Sequence, residues 1–185
     1  MRQPFCLLIA LLVALSATAQ TLEVSSTRKA VRTSGDVFSI LLPVAGLTAA
    51  AVQQDWTGVK QAAFSGAVTL GATFLLKKAV KKERPDHSDF DSFPSRHTAL
   101  SFAAATFMQQ RYGWQWGLPC YVLSTYVGWT RVYGKKHDWW DVAAGAAIGA
   151  GSSFLFTRRF AKKHDLTLCP TTDGHGYGLY ASMRF

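Results

Sequence analysis

Five apolar segments follow one another along the chain, separated by polar stretches of 5 to 21 residues. They cover residues 37–52, 62–76, 98–108, 114–129 and 142–156. Their Ala, Leu and Gly content, with little strand-like alternation of apolar and polar positions, predicts helices. Ser95 and Asp138 precede the third and fifth segments and are residue types that cap helix N-termini. The pattern therefore predicts an all-α fold, a helical bundle of five core helices.

The two ends of the chain depart from this pattern. Residues 1–19 combine an early positive charge, an apolar run and small residues ending in Ala17-x-Ala19, which is typical of a signal peptide, with an uncleaved first helix as the alternative. Residues 20–36 form a polar lead. The basic tail at 158–185 ends in alternating residues around Asp173-Gly174, which predicts a short β-hairpin or else a frayed end.

Two observations bear on whether the bundle lies in a membrane. The apolar runs are only 11 to 16 residues long and the mean hydropathy is +0.08, whereas a single span needs about 20 apolar residues. All six tryptophans, however, lie at or near segment ends, where an interfacial aromatic belt would place them. We favour a membrane-embedded bundle, and Gly145 and Gly149 would let a neighbouring helix approach the fifth segment closely.

The balance of charged residues indicates which classes of molecule the protein is expected to bind. The chain has 20 Lys and Arg against 11 Asp and Glu, a formal net charge of +9. This excess favours anionic partners such as phosphate esters or anionic lipids. We expect no nucleic-acid partner, because the cations lie at the ends of apolar segments rather than along one polar face.

Three charged clusters lie at the ends of the predicted helices. They are Lys77 with Arg84-Pro85, the stretch Pro94-Ser95-Arg96-His97, and Arg131 with His137 and Asp141. If helices two to five alternate in direction, the end of the second, the start of the third, the end of the fourth and the start of the fifth meet at one pole. The sequence therefore predicts that the three clusters converge.

The residue types at this pole suit phosphate chemistry. Cations and helix N-termini bind phosphate, and two histidines can supply a nucleophile and an acid. His137 and Asp141 are four residues apart, so a carboxylate on the same helix face can orient the ring. The competing interpretations are solvated helix ends, structural histidines, or two metal ligands at His137 and Asp141. We expect no metal or other cofactor, because no Cys/His pair has zinc spacing and the pole is cationic.

The ordered motifs Lys77-x6-Arg84-Pro85, Pro94-Ser95-Arg96-His97 and Arg131-x5-His137-x3-Asp141 resemble those of the type 2 phosphatidic acid phosphatase (PAP2) family. That family is related to bacterial acid phosphatases and vanadium haloperoxidases. Its pattern is KxxxxxxRP, PSGH and SRxxxxxHxxxD, and the resemblance covers residues 62–156. It implies an all-helical phosphatase domain, which we place at 37–157.

The resemblance also implies a role for each motif residue. His137 would be the nucleophile, Asp141 its orienting partner and His97 the acid that protonates the leaving alcohol. The phosphoryl oxygens would bind Lys77, Arg84, Ser95, the backbone N–H of Arg96, and Arg131. Two positions depart from the family pattern: Thr130 replaces a serine, and Arg96 replaces the glycine of PSGH, where a side chain could crowd the site or add a cation.

These inferences lead to one expected function and two alternatives. We expect a metal-independent phosphatase for a phosphomonoester or pyrophosphate, of a lipid, acting through a phosphohistidine. Its site would face the periplasm from the bacterial inner membrane. The alternatives are a soluble periplasmic acid phosphatase for small esters and a non-catalytic membrane protein that binds anionic lipid or phosphate.

Overall fold

Five helices in alternating directions make up the bundle. The structure is a computed structural model and describes residues 24–160, 166–172 and 177–183. The helices are α1 Val24–Val52, α2 Trp56–Ala79, α3 Arg96–Tyr112, α4 Trp114–Tyr133 and α5 Trp139–Phe156. We call the end where α2 and α4 finish and α3 and α5 begin the histidine pole, and the other end the opposite pole. The predicted helical bundle is confirmed.

The helices extend beyond the apolar runs that predicted them. Most notably, α1 begins at Val24, so the described part of the polar lead is helical rather than a separate segment. Contacts with α4 help to hold these polar turns: the Ser34 hydroxyl lies 2.8 Å from the Tyr126 hydroxyl, and Arg131 donates to the carbonyl of Arg32. Periodicity of apolar residues cannot reveal a helix whose partners are polar.

Helix α3 lies at the centre of the bundle and contacts each of the other four helices. Small buried residues line it, among them Ala99, Ala103 and Ala105, together with Phe107. Its N-terminus is capped by Ser95, and that of α5 by Asp138 in a capping box with Asp141. Both predicted caps are confirmed.

Helices α3 and α5 form the most extensive contact between helices of the bundle. A Cβ added at Gly149 would overlap the carbonyl oxygen of Ala99, and one added at Gly145 would lie 2.5 Å from the carbonyl oxygen of Ser95. The backbone N–H of Ser95 donates to the carbonyl of Asp141 at 3.0 Å. The predicted role of the two glycines is confirmed, and it links the two motif-bearing helices through their backbones.

The outer surface of the bundle is apolar. Ser26–Val52 and Trp56–Ala79 are long and apolar enough to cross a membrane, and only 28% and 17% of their most apolar windows are buried. At about 1.5 Å per residue, the 24 residues of α2 span about 36 Å. All six tryptophans are between 41% and 78% exposed. Trp129, Trp139 and Trp140 ring the histidine pole, and Trp56, Trp114 and Trp116 the opposite pole, which fits two interfacial belts.

The opposite pole is closed by a buried ion pair. Arg111 donates to Asp55 through Nε at 2.6 Å and through Nη2 at 2.5 Å, and the Tyr112 hydroxyl donates to the same carboxylate at 3.0 Å. Arg111 Nη1 also donates to the carbonyl of Arg158, so the chain after α5 is fastened to α3.

The tail forms the predicted hairpin. Strands β1 Leu166–Thr172 and β2 Tyr177–Met183 pair antiparallel, from Leu166 opposite Met183 to Thr172 opposite Tyr177. The predicted turn at Asp173-Gly174 lies outside the described residues, as does the predicted signal peptide at 1–19.

Candidate active site

A polar cavity of about 400 Å³ opens at the histidine pole. Six of the eight predicted site residues line it: Lys77, Arg84, Arg96, His97, Arg131 and His137. The remaining lining residues are Arg32, Asp36, Asp91 and Lys136. Six cations thus face two carboxylates, and the three clusters converge as the alternating helices predicted.

The other two predicted residues lie behind the cavity wall. Asp141 is fully buried in the first turn of α5. Ser95 is also fully buried, and its hydroxyl contacts the Thr98 hydroxyl at 3.0 Å as part of the α3 cap. The structure thus shows Ser95 in a capping position at the start of α3, not in the cavity lining.

His137 lies on the loop just before α5 and is buried except where it meets the cavity. Its Nδ1 is 3.5 Å from Asp141 Oδ2, slightly longer than a hydrogen bond, and is shielded from solvent. Nε2 is therefore the ring nitrogen available to the cavity. A contraction of a few tenths of an ångström would complete the pairing with Asp141, and such bonds are often long without ligand.

Asp141 is held by three donors that the sequence interpretation missed. Its Oδ1 accepts from Lys82 Nζ at 2.8 Å, and its Oδ2 accepts from the Ser92 hydroxyl and from the backbone N–H of Asp138 at 3.1 Å. Lys82 and Ser92 come from the segment between α2 and α3, where no periodic pattern exists to place them. Their bonds fix the carboxylate beneath the His137 ring.

The surroundings of His137 favour its neutral form. Burial, followed by the positive charges of Lys77 and Arg84, lowers the pKa of His137 to about 4, although Asp141 acts in the opposite direction. The imidazole is therefore neutral at neutral pH. A neutral ring with one protected nitrogen and one nitrogen facing a cationic cavity has the form that a nucleophile requires.

Arg131 is almost fully buried and is held from two sides. Its Nη1 lies 2.5 Å from Asp36 Oδ1, and Nη2 donates to the carbonyl of Arg32, both on α1. Nε and Nη2 also donate to the Thr130 hydroxyl at 3.3 and 3.2 Å. Thr130 thus supplies a hydroxyl like the serine it replaces. Of the five guanidinium hydrogens, one on Nη1 is left for a ligand.

His97 lies in the first turn of α3 and contacts α1. Its Nε2 is 3.2 Å from Asp36 Oδ1, the same oxygen that pairs with Arg131. Neither Asp36 nor Arg32 was among the predicted site residues. Both belong to the polar lead, and only the extension of α1 brings them to the cavity.

The other cations are anchored on the loop between α2 and α3. Lys77 donates to the carbonyl of Asp91, and Arg84 Nε lies 2.6 Å from Asp89 Oδ1. Lys136 forms an ion pair of 2.5 Å with Asp86. These contacts leave the head groups facing the cavity, where their charges add.

Arg96 does not strain the backbone at the position where the family has glycine. It is the first residue of α3, and positive φ among the described non-glycine residues occurs only at Gln54, His87 and Lys135. Its side chain is exposed and lines the cavity. The substitution therefore adds a cation to the site without a forbidden dihedral.

Within residues 24–160 and the two strands, no three His, Cys, Asp or Glu side chains come together as a metal site. His137 and Asp141 are accompanied by Lys82, whose ammonium occupies one carboxylate oxygen. The pair is thus arranged as a histidine with an orienting carboxylate.

Several known proteins are similar to this chain in sequence. The profile of the PAP2 superfamily matches residues 58–165. The chain is 31% identical over 140 residues to the lipid A 4'-phosphatase of Helicobacter pylori strain J99, covering 70% of each chain. It is 33% identical over 143 residues to the lipid A 1-phosphatase of Rhizobium johnstonii, covering 66% of this chain and 55% of that one.

A solved structure shares the fold. The crystal structure of Aquifex aeolicus LpxE superposes with a TM-score of 0.61 at 21% identity, covering 78% of this chain and 91% of that one. At this identity the likeness concerns the fold alone. The family match covers more than half of the chain and includes all three motifs, so this protein is a phosphatase that belongs to the PAP2 superfamily.

Proposed function

We propose that the protein removes a phosphate group from a lipid through a phosphohistidine on His137, without a metal ion. The observation that carries the proposal is the pairing of His137 with Asp141 at the edge of a cavity walled by six cations. Phosphoryl transfer needs positioning and compensation of charge more than covalent chemistry. Side chains alone can supply both here.

The first step would transfer the phosphoryl group to the enzyme. Nε2 of His137 attacks phosphorus while the bond to the leaving oxygen breaks. That oxygen keeps the electron pair and takes a proton from His97, which releases the lipid alcohol. Asp141 stabilises the positive charge that develops on the His137 ring.

The second step would regenerate the enzyme. A water molecule attacks phosphorus, the phosphorus–nitrogen bond breaks, and its electron pair returns to Nε2 of His137. His97, now neutral, takes the proton from the water. Inorganic phosphate then leaves, and both histidines have returned to their starting protonation states.

The cations would bind the equatorial oxygens in both steps. Lys77 approaches from the last turn of α2, Arg84 from the loop that follows, and Arg131 offers its remaining Nη1 hydrogen from α4. The first backbone N–H groups of α3, at Ser95 and Arg96, suit the same anion. Of these, the Ser95 N–H already donates to Asp141, so the Arg96 N–H is the better candidate. Ser95 then contributes by capping α3.

The substrate we propose is lipid A, which the names of both relatives contain. The cavity lies where exposed apolar helices meet a tryptophan ring, which suits a substrate with a headgroup phosphate and acyl chains. One relative is named for the 1-phosphate and the other for the 4'-phosphate. An experiment therefore has to establish which of the two phosphates this protein removes.

The test uses purified full-length protein in detergent micelles. Bisphosphorylated lipid A is incubated with and without EDTA, and mass spectrometry distinguishes loss of the 1-phosphate from loss of the 4'-phosphate. We expect loss at one position, no effect of EDTA, inhibition by vanadate, and an acid-labile phosphoenzyme. Release from small esters only would instead support the acid phosphatase, and EDTA inhibition reversed by a divalent ion would contradict the metal-free mechanism.

We also propose that the histidine pole faces the periplasm. An odd number of alternating helices puts residue 24 and the tail on opposite sides, and the cations at Arg158 and Arg159 follow the positive-inside tendency if the tail is cytoplasmic. Reporter fusions at Phe185 test this: a cytoplasmic signal from a carbonate-resistant membrane protein is expected. Release by osmotic shock would contradict the location.

A further inference from the structure

One carboxylate faces the cavity beside the histidine that we propose as the acid. Asp36 Oδ1 lies 3.2 Å from Nε2 of His97 and 2.5 Å from Nη1 of Arg131. Asp36 comes from α1, which contributes none of the three family motifs. In the described part of the chain, it is the one carboxylate within ion-pair distance of His97.

The packing of α1 against α4 holds Asp36 next to His97. Gly35 allows α1 to approach α4, since a Cβ there would overlap the Thr130 hydroxyl. The carbonyl of Arg32, one turn before Asp36, accepts from the same guanidinium. Arg131 therefore fixes the carboxylate that reaches His97, and the side chain is still 42% exposed toward the cavity.

The charges around His97 make this contact consequential. Positive charges face it from three elements: Arg131 on α4, Arg96 on α3 and Arg84 on the loop after α2. Arg32, Lys77 and Lys136 complete the cationic wall. Burial and these charges together oppose a proton on the ring, and Asp36, the counter-charge in contact with it, offsets only part of their effect. The six cations of the wall still outnumber Asp36 and Asp91, so the cavity keeps its attraction for phosphate.

We infer that Asp36 is a positioning residue that orients His97 and offsets part of the surrounding positive charge, which favours the protonated ring that donates a proton to the leaving oxygen. This inference rests on the role of His97 in the proposed function. With Nε2–H directed to Asp36, the second N–H of the ring, on Nδ1, is the one given to the leaving oxygen as its bond to phosphorus breaks. The ring is then neutral, with its remaining hydrogen on Nε2 facing Asp36.

The experiment compares two substrates whose leaving groups differ in their need for a proton. A good leaving group such as p-nitrophenolate departs without a proton, whereas an alkoxide such as that of benzyl phosphate needs one. The value of kcat/KM includes the step in which the leaving group departs. It is measured for p-nitrophenyl phosphate and benzyl phosphate with the full-length wild type, Asp36→Asn, Asp36→Glu and His97→Gln.

We expect Asp36→Asn to lower kcat/KM for benzyl phosphate by about 10²-fold, in the range of general acid catalysis, and that for p-nitrophenyl phosphate by only a few-fold. His97→Gln should show the same selective loss, and Asp36→Glu should recover part of it. Asp86→Asn removes a carboxylate that pairs with Lys136 and does not contact His97. It is the matched control, and the ratio between the two substrates should not change.

The outcomes separate the inference from the proposed function. A selective loss in His97→Gln but not in Asp36→Asn would overturn the inference alone. An equal loss on both substrates in Asp36→Asn would show that Asp36 only supports Arg131. No selective loss in His97→Gln would remove the proposed acid and the inference with it. Thermal unfolding in detergent checks that each variant is folded. If Asp36→Asn does not fold, the comparison of Asp36→Glu with the wild type still tests the inference.

Discussion

Each end of the bundle contains a buried arginine paired with a carboxylate, and the exposure of the carboxylate distinguishes the two pairs. At the opposite pole Arg111 and Asp55 are both buried, with two guanidinium nitrogens on the carboxylate and the Tyr112 hydroxyl added. At the histidine pole Arg131 is equally buried, but the side chain of its partner Asp36 is 42% exposed.

The difference in exposure distinguishes a pair whose polar groups are satisfied within the protein from a pair that can also contact a ligand. The Arg111–Asp55 pair satisfies its donors and acceptors internally and holds α3 to the start of α2 and to Arg158. The Arg131–Asp36 pair has a guanidinium hydrogen and a carboxylate facing the cavity. Burial of the arginine is common to both ends, and the open carboxylate distinguishes the end that carries the candidate site.

The largest expected effect is on catalysis at the histidine pole. His137→Ala removes the proposed nucleophile, so we expect turnover to fall by at least about 10⁴-fold, a barrier increase of about 5.4 kcal/mol. The substitution leaves the ion pairs of both poles intact. Thermal unfolding in detergent should therefore stay close to that of the wild type.

Asp141→Asn serves as its companion variant. The side chain has nearly the same shape, but it no longer carries the charge that stabilises the His137 imidazolium, so turnover should fall by about 10²–10⁴-fold. Turnover of His137→Ala within tenfold of the wild type would contradict the phosphohistidine.

The next effect is on stability at the opposite pole. Asp55→Asn leaves the Arg111 charge buried without its counter-ion, which should cost about 3–5 kcal/mol of unfolding free energy. At temperatures where the variant is folded, kcat should be unchanged. Asp36→Asn is the matched comparison: water in the cavity reaches the open end of the Arg131–Asp36 pair, so the loss of unfolding free energy should be smaller than in Asp55→Asn. Equal losses of stability in the two variants would remove the distinction between the pairs.

A smaller effect concerns the charge state of His137. Its pKa of about 4 lies below the ordinary value of 6.5, so the ring should titrate near pH 4 by NMR of histidine-labelled protein. The folded state then binds fewer protons than the unfolded state between those values, and acidification through this window should destabilise the fold. Lys77→Met should raise the midpoint, because it removes a nearby positive charge.

Lys78→Met is the control for that titration. Lys78 is the neighbour of Lys77 but lies over the Phe74 ring and not in the cavity wall. Its removal should leave the midpoint unchanged. A wild-type midpoint near 6.5 would show that neither burial nor the cationic wall controls the ring.

The smallest effect is expected at Arg96. Arg96→Gly restores the family residue, and because φ at this position is not positive, the backbone gains nothing from glycine. We expect kcat/KM to stay within a few-fold of the wild type or to rise, measured beside Arg96→Lys. A loss of tenfold or more in Arg96→Gly would identify Arg96 as a phosphate ligand.

Sequence reasoning was able to predict the bundle and the convergence of the three charged clusters for a physical reason. Helices joined by short connections alternate in direction, so residues at their ends converge even when they are 60 positions apart, as Lys77 and His137 are. The caps at Ser95 and Asp138 were predictable because capping depends on local hydrogen bonds.

The parts that sequence reasoning missed depend on tertiary contacts between polar groups. The polar turns that carry Arg32 and Asp36 show no apolar period, and their helix is fixed by Arg131, 95 residues beyond Asp36. Lys82 and Ser92 reach Asp141 from an irregular segment. Neither periodicity nor motif spacing carries information about such contacts.

The contact of Gly145 and Gly149 with the backbone of α3 bears on how this protein can evolve. The backbones of α3 and α5 are in direct contact, and the Ser95 N–H donates to the Asp141 carbonyl. These backbone contacts set the spacing between His97 and His137. Substitutions of side chains elsewhere in the bundle should therefore leave the distance between the two histidines unchanged. The outer faces of α1 and α2 take no part in this backbone contact, so substitutions there should leave the spacing of the two histidines unchanged.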